Sequence, residues 1–264
     1  MYDYVCDGAP CAATVSKAQS YARMAMAADP ASPEANTSAA MTARLFERNL
    51  EKSDSEFRRA IALDPRYALA HEWYGNSLLA RGDLGRARKE LQQAVALQPV
   101  SVATYAWLAR DAYYAHHYAD AIANAREALA INPNRIETMV LLGLALEENG
   151  NEGEAVSVFR ALSRIRSSRD AQALIAGAYA HRGQRALALQ TLQEAIGNAS
   201  SDNFFARDLA LGFLQLGDHK RALHLLRRAR FANDMERMFF AMDPRLDAVR
   251  SDARFRPWTL LAAR

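Results

Sequence analysis

The sequence is poor in cysteine, glycine and proline, and it has no long apolar run. Of 264 residues, 2 are Cys, 12 Gly and 8 Pro. So small a supply of turn formers argues against a sandwich or barrel of many short strands, each needing its own turn. Apolar stretches such as Val140 to Leu146, with Gly143 inside, fall far short of the roughly 20 residues that carry a helix across a bilayer. No membrane-spanning segment is expected. The opening MYDYVCDGAP carries two aspartates and neither a basic n-region nor an apolar h-region, which argues against a signal peptide; export would need residues upstream of Met1. The chain is expected to be soluble, with its compartment open between cytoplasm and periplasm. Phosphate-loop, dinucleotide and nucleophile-elbow patterns are also missing, and Gly82-Asp83-Leu84-Gly85 suits a turn between helices better than a phosphate cradle. No enzyme activity and no cofactor are expected.

What is abundant is alanine, 54 residues, in a chain that is 50% hydrophobic and 24% charged. That is the composition of a globular chain long enough to bury a sizeable core. So much alanine favours helix, and the sequence predicts an all-α protein. Net charge is +3, but residues 1–159 carry 15 Lys and Arg against 20 Asp and Glu, and residues 160–264 carry 18 against 10. A basic second part attracts an acidic partner, an anionic surface or nucleic acid. The plainer reading is a solvated, arginine-rich surface, because only Lys17, Lys52, Lys89 and Lys220 are lysines and no run of like charge is long enough to mark a binding tail.

The two cysteines, Cys6 and Cys11, are separated by Asp-Gly-Ala-Pro. Gly8 and Pro10 favour a bend between them, so a small-loop disulfide in an oxidising compartment and a pair of free thiols are both open. With no His or third Cys near in sequence, no metal site is expected.

Prolines at 30, 65, 99 and 133 close four phrases of one kind, MAADP, IALDP, VALQP and LAINP. The repeat is therefore close to 34 residues. An alanine stands five residues before each proline (Ala25, Ala60, Ala94, Ala128), and apolar positions precede it at helical spacing, so the phrases predict amphipathic helices ended by proline. Each has a preceding helix, separated by a turn that is often Gly-Asp or Gly-Asn, as at Gly82, Gly150 and Gly217. The unit is helix, turn, helix.

These residues resemble the tetratricopeptide repeat. Residues 68–101 supply Tyr74, Gly75, Leu78, Gly82, Ala87, Leu91, Ala94 and Pro99 in register; residues 136–168 supply Leu142, Gly143, Leu146, Gly150, Ala155 and Phe159, with Leu162 in place of the late alanine. The resemblance implies a right-handed superhelical solenoid of about six repeats, at 34–67, 68–101, 102–135, 136–168, 169–202 and 203–235, with capping helices at both ends. Residues 1–33 form an N-terminal segment whose Ala18, Ala22, Ala25 and Pro30 fit the second helix of a further repeat. Residues 236–264 break the period; Asp243, and Ser251 or Asp252, read as N-caps of short closing helices. A narrower resemblance is to the C-terminal repeat domains of bacterial CadC-type winged-helix regulators and related TolB-like proteins. The ending matches theirs at Asp243, Pro244, Leu246, Asp247, Arg250, Asp252, Arg254 and Phe255, and departs at Val249 and Ala253.

Candidate chemistry is sparse. His116-His117 occupies a turn, and His219 and His224 fall on different sides of a helix. The adjacent Glu147 and Glu148 diverge as helical neighbours do. Recognition remains. The repeat resemblance implies a concave groove lined by Glu72, Asn76 and Leu79; by Arg110, Tyr113 and Tyr114; by Glu137, Leu144, Glu147 and Glu148; by Asp170 and His181; and by Phe204, Arg207 and Leu211. Tyr113 and Leu144 have packing against the next repeat as their alternative. Glu72 beside Asn76 departs from the Lys and Asn that chaperone-tail receptors use, and the acidic cluster suggests a partner with a basic segment. The leading expectation is a protein-interaction module, the sensory C-terminal part of a bacterial transcriptional regulator. A free-standing scaffold, a homodimer closed over the first helix, and a nucleic-acid-associated protein are the alternatives.

Overall fold

The computed structural model describes residues 5–6, 9–10, 12–165, 169–197, 206–229, 231 and 234–260. Apart from a two-residue antiparallel pairing of Val5–Cys6 with Ala9–Pro10, the described residues are helices and turns. In order they are α1 (Ala12–Ala28), α2 (Pro33–Thr42), α3 (Leu50–Leu63), α4 (Ala68–Leu79), α5 (Leu84–Leu97), α6 (Val102–Tyr114), α7 (Tyr118–Ile131) and α8 (Ile136–Glu148). Then follow α9 (Glu152–Ile165), α10 (Arg169–His181), α11 (Arg185–Gly197), α12 (Ala206–Gln215), α13 (His219–Leu226), α14 (Asp234–Ala241) and α15 (Arg256–Thr259). Three-ten turns at Pro244–Val249 and Ala253–Phe255 lie between the last two. The all-α expectation holds, with helix pairs that follow the sequence period. Cys11 lies outside the described residues, and with it the disulfide option.

The turn inside each pair has one geometry. Residues 48, 82, 116, 150, 183 and 217 all have a positive φ, four of them glycine and two, Arg48 and His116, not. After five of these, the next N–H donates to the carbonyl five residues back, as from Asp83 to Leu78 and from Asn151 to Leu146; this bond closes the helix and requires the left-handed residue. Asn49 donates one residue further back, to Ala43, because the chain from Ala43 to Glu47 widens into a π turn that continues α2. That extra residue explains why the first helix of the 34–67 repeat matches the pattern least. Side-chain caps from Asn49, Asp83 and Asp218 start α3, α5 and α13.

Residues 1–107 and 108–264 form two compact units, the division falling within α6. In the first, Phe57 and Tyr74 stack at 5.4 Å, and Ala60, Ala87 and Ala94 are buried. Asp54 accepts from the Tyr74 hydroxyl at 2.8 Å and from Arg81 at 2.9 Å. In the second, one buried cluster on α6 to α10 surrounds Tyr113, Leu146 and Phe159. Another joins α10 to α13 with the chain's end through Phe213, Leu226, Leu246 and Phe255. Asp243 and Asp252 cap the three-ten turns, each accepting from the N–H two residues on.

Candidate functional site

In the first unit the proposed groove residues sit on α4. Glu72 is engaged within the unit: its carboxylate accepts from the Ser101 hydroxyl at 2.8 Å and from the Thr104 hydroxyl, and so holds the start of α6. Asn76 is 1% exposed, and neither its amide nitrogen nor its amide oxygen has a hydrogen-bond partner. A buried carboxamide normally makes such bonds, so Asn76 is an unspent donor and acceptor. Leu79 is fully buried and belongs to the core.

In the second unit, α6 supplies Arg110, Tyr113 and Tyr114. The Tyr113 ring is buried against the side chains of α8, and its hydroxyl stands 3.4 Å from Oδ1 of Asp243, 130 residues later. Tyr114 packs its ring on Phe239 at 5.5 Å, with the Arg110 guanidinium 4.9 Å from the same ring's centre. Burial pushes the Tyr114 hydroxyl up to about 12, and burial together with the Asp243 carboxylate raises that of Tyr113 well above the ordinary phenol value. Both phenols stay protonated donors across physiological pH.

Glu147, on α8, is 2% exposed. Its Oε1 accepts from Nδ1 of His181 at 3.1 Å and from Nε2 of Gln215 at 2.5 Å, tying α8, α10 and α12 together. That hydrogen bond raises the pKa of His181, favouring the imidazolium. Burial raises the pKa of Glu148. Glu147 is thus engaged internally and is not presented to solvent.

The remaining expected residues do not join this arrangement. Leu144 and Leu211 are buried in the core, where an inner-face leucine in a tightly stacked pair has nowhere else to go. Glu137 is exposed. Arg207 pairs with Glu236 at 2.5 Å and lies over the Phe231 ring. The side chains of Asp170 and Phe204 lie outside the described residues. Sequence reasoning missed Gln215, although it occupies the thirteenth position of its repeat, as Glu148 and His181 do of theirs. It also missed Phe239 and Asp243 as groove residues; the FFAMDP phrase was visible, but only as a cap.

Among the described residues no group of three or more His, Cys, Asp or Glu is placed to hold a metal, and no helix is long and apolar enough to cross a membrane.

Residues 39–102 and 108–169 match the tetratricopeptide repeat family model, and the helix pairs there are similar to tetratricopeptide repeats. Solved structures share the fold. One is YrrB, described as a TPR protein with an unusual peptide-binding site: TM-score 0.60 and 20% identity over 78% of this chain and 97% of that one. Another is MamA, at 0.58 and 19% over 62% and 90%. A third is a tetratricopeptide repeat protein from Parabacteroides merdae, at 0.65 and 13% over 88% and 93%. No curated protein matches the chain in sequence.

Proposed function

We propose that this chain is a non-catalytic protein-interaction module whose first-helix face takes an extended peptide segment, with Asn76 as its anchor in the first unit. The observation that carries the reading is the Asn76 side chain, whose donor and acceptor are both unpaired; at 1% exposure it is reached only when the side chains covering it move aside, so binding opens this face. A peptide group offers one acceptor and one donor, which is the complement of a carboxamide. The repeats matched by the family model support this, as does the peptide-binding site named for YrrB. The match of the chain's ending to CadC-type regulators suggests a sensory role in such a regulator. In the basic second part, Arg207, Arg221, Arg245, Arg250 and Arg254 are engaged with carboxylates, so nucleic acid is not the partner proposed.

The test uses the full chain as bait, beside an Asn76→Ala variant of matching helix content. A partner that is captured, identified and shown by titration to bind the native chain about tenfold more tightly than the variant supports the reading. Equal affinity removes Asn76 from it, and no partner for either chain overturns it.

A second reading, self-association through α1, rests on Tyr21 and Met24, which lie one turn apart and are 67% and 63% exposed. Light scattering that finds only monomer at high concentration would remove it.

A further inference from the structure

Within the second unit, the segment from Phe239 to Asp247 lies on the face presented by α6. The Phe239 ring packs on the Tyr114 ring and takes the Arg110 guanidinium over its face, a cation–aromatic arrangement. Four residues on, the Asp243 carboxylate stands 3.4 Å from the Tyr113 hydroxyl. Four further, Oδ2 of Asp247 is 3.5 Å from Nε2 of His116. The face therefore receives an aromatic ring and then two carboxylates, at regular spacing.

Two observations set this seat apart from ordinary core. First, the strong polar contacts of the segment are made within the chain's end. Arg245 forks onto Asp243 at 2.9 and 2.6 Å. Arg250 reaches Asp247 at 2.5 Å and the carbonyls of Ala241 and Asp243 at 2.7 and 3.1 Å. Phe240 turns to Phe231 and is itself buried in the cluster with α12 and α13, so it stays anchored on the opposite side from Phe239. Ring contact and one long hydrogen bond join Phe239 and Asp243 to α6, and Asp243 is paired within its own segment to Arg245, which also feels the Asp208 carboxylate of α12. The ion pair of Arg207 with Glu236 at the start of α14 is partly exposed, at 16% and 30%, and water can replace it. Second, His116 adopts a φ of +60° where the corresponding residue of four other repeats is glycine. A side chain there costs roughly 1–2 kcal/mol in backbone strain, and this one touches both the Tyr118 hydroxyl, at 3.0 Å, and Asp247.

We propose that Phe239–Asp243 is an internal ligand of this face, latched by His116 and Asp247, and that the partner bound there is a protein segment of the same chemistry: an aromatic residue followed four positions later by a carboxylate. The partner displaces Phe239 and Asp243. Leu246, Val249 and Phe255, buried in the cluster with α12 and α13, keep the chain's end attached meanwhile. The proposal rests on the interaction-module reading and names a partner chemistry for a second site, distinct from Asn76.

A fluorescein-labelled peptide of residues 236–248 is titrated into the full chain by anisotropy. The native chain, its seat filled, is expected to bind weakly. Phe239→Ala with Asp243→Asn should bind about tenfold more tightly, and Arg110→Ala added to that pair should abolish the gain. Because Asp243→Asn leaves Arg245 without its ion pair, His116→Gly is measured in parallel. It frees Asp247 and relieves the turn, and should raise peptide affinity severalfold with no loss of thermal stability; a merely structural histidine would leave peptide affinity unchanged. Folded variants that bind no more tightly than the native chain overturn the internal ligand. That failure leaves the interaction reading standing, since capture through Asn76 is measured separately.

Discussion

Gly143 lies directly beneath the ring of Phe159: a Cβ built on Gly143 would stand 2.2 Å from Cε1 of that ring. The two residues bring α8 and α9 together, and the ring occupies the space that any side chain at 143 would need. Gly143→Ala should therefore overpack the pair and lower stability by about 1–3 kcal/mol, read as a drop in the urea midpoint at unchanged slope.

Two neighbouring glycines serve other ends and should answer differently. Gly150 has open space around it but a φ of +77°, so Gly150→Ala should lose about 1–2 kcal/mol through backbone strain alone. Gly153, on α9, has open space and no such φ, so Gly153→Ala should gain about 0.4–1 kcal/mol. Thermal melts of the three alanine variants should fall in that order of mechanism, with only the last above the native chain.

Arg44, in the π turn, has its Nη1 buried with no hydrogen-bond partner, and burial lowers its pKa to about 10. A half-buried guanidinium with one nitrogen unsatisfied is held at a desolvation cost. Arg44→Met, which keeps the stem and removes the charge, is expected to raise stability by about 1 kcal/mol or more. A lower urea midpoint in the variant would show that the guanidinium makes a contact the fold needs.

Stability should decline as pH rises through neutrality. His181 has a raised pKa, chiefly through the Glu147 hydrogen bond. For His71, burial works against the imidazolium, but Glu90 at 2.7 Å and the Pro65 carbonyl outweigh it, and the pKa is raised as well. A histidine whose folded pKa lies above its unfolded value contributes stability that is fully present below about 6.5 and is lost as pH rises through the folded pKa. Glu148, also raised, acts in the same sense from its lower starting point. Melting temperature should therefore fall between pH 6 and 8, and His71→Gln should flatten the fall more than His181→Gln. The reason is exposure: the His71 side chain is 7% exposed and that of His181 39%, so solvent screens the second more.

The alanines show how much of the fold was legible. Of the four alanines five residues before a proline, Ala60, Ala94 and Ala128 are at most 1% exposed and Ala25 is half-buried. The left-handed turn residues were legible as glycines at 82, 150 and 217, and not at His116, where the conformation is the same but the residue gives no sign of it. Of the groove, the helix positions were legible and their accessibility was not. Tyr113 and Glu147 sit where an inner-face residue should, yet both are buried, one against a residue 130 positions later and the other under side chains from two following repeats.

What the sequence by itself determined is everything that depends on spacing within about 34 residues: helices, caps, turns, and the small residues that let paired helices close. Those interactions are local, and they recur, so each repeat confirms the next. The tertiary structure alone decided which inner-face groups are spent. Where Asp243 meets Tyr113, or Gln215 meets Glu147, depends on how the chain's end and the later repeats pack against earlier helices. That packing is summed over many side chains and leaves no period in the sequence.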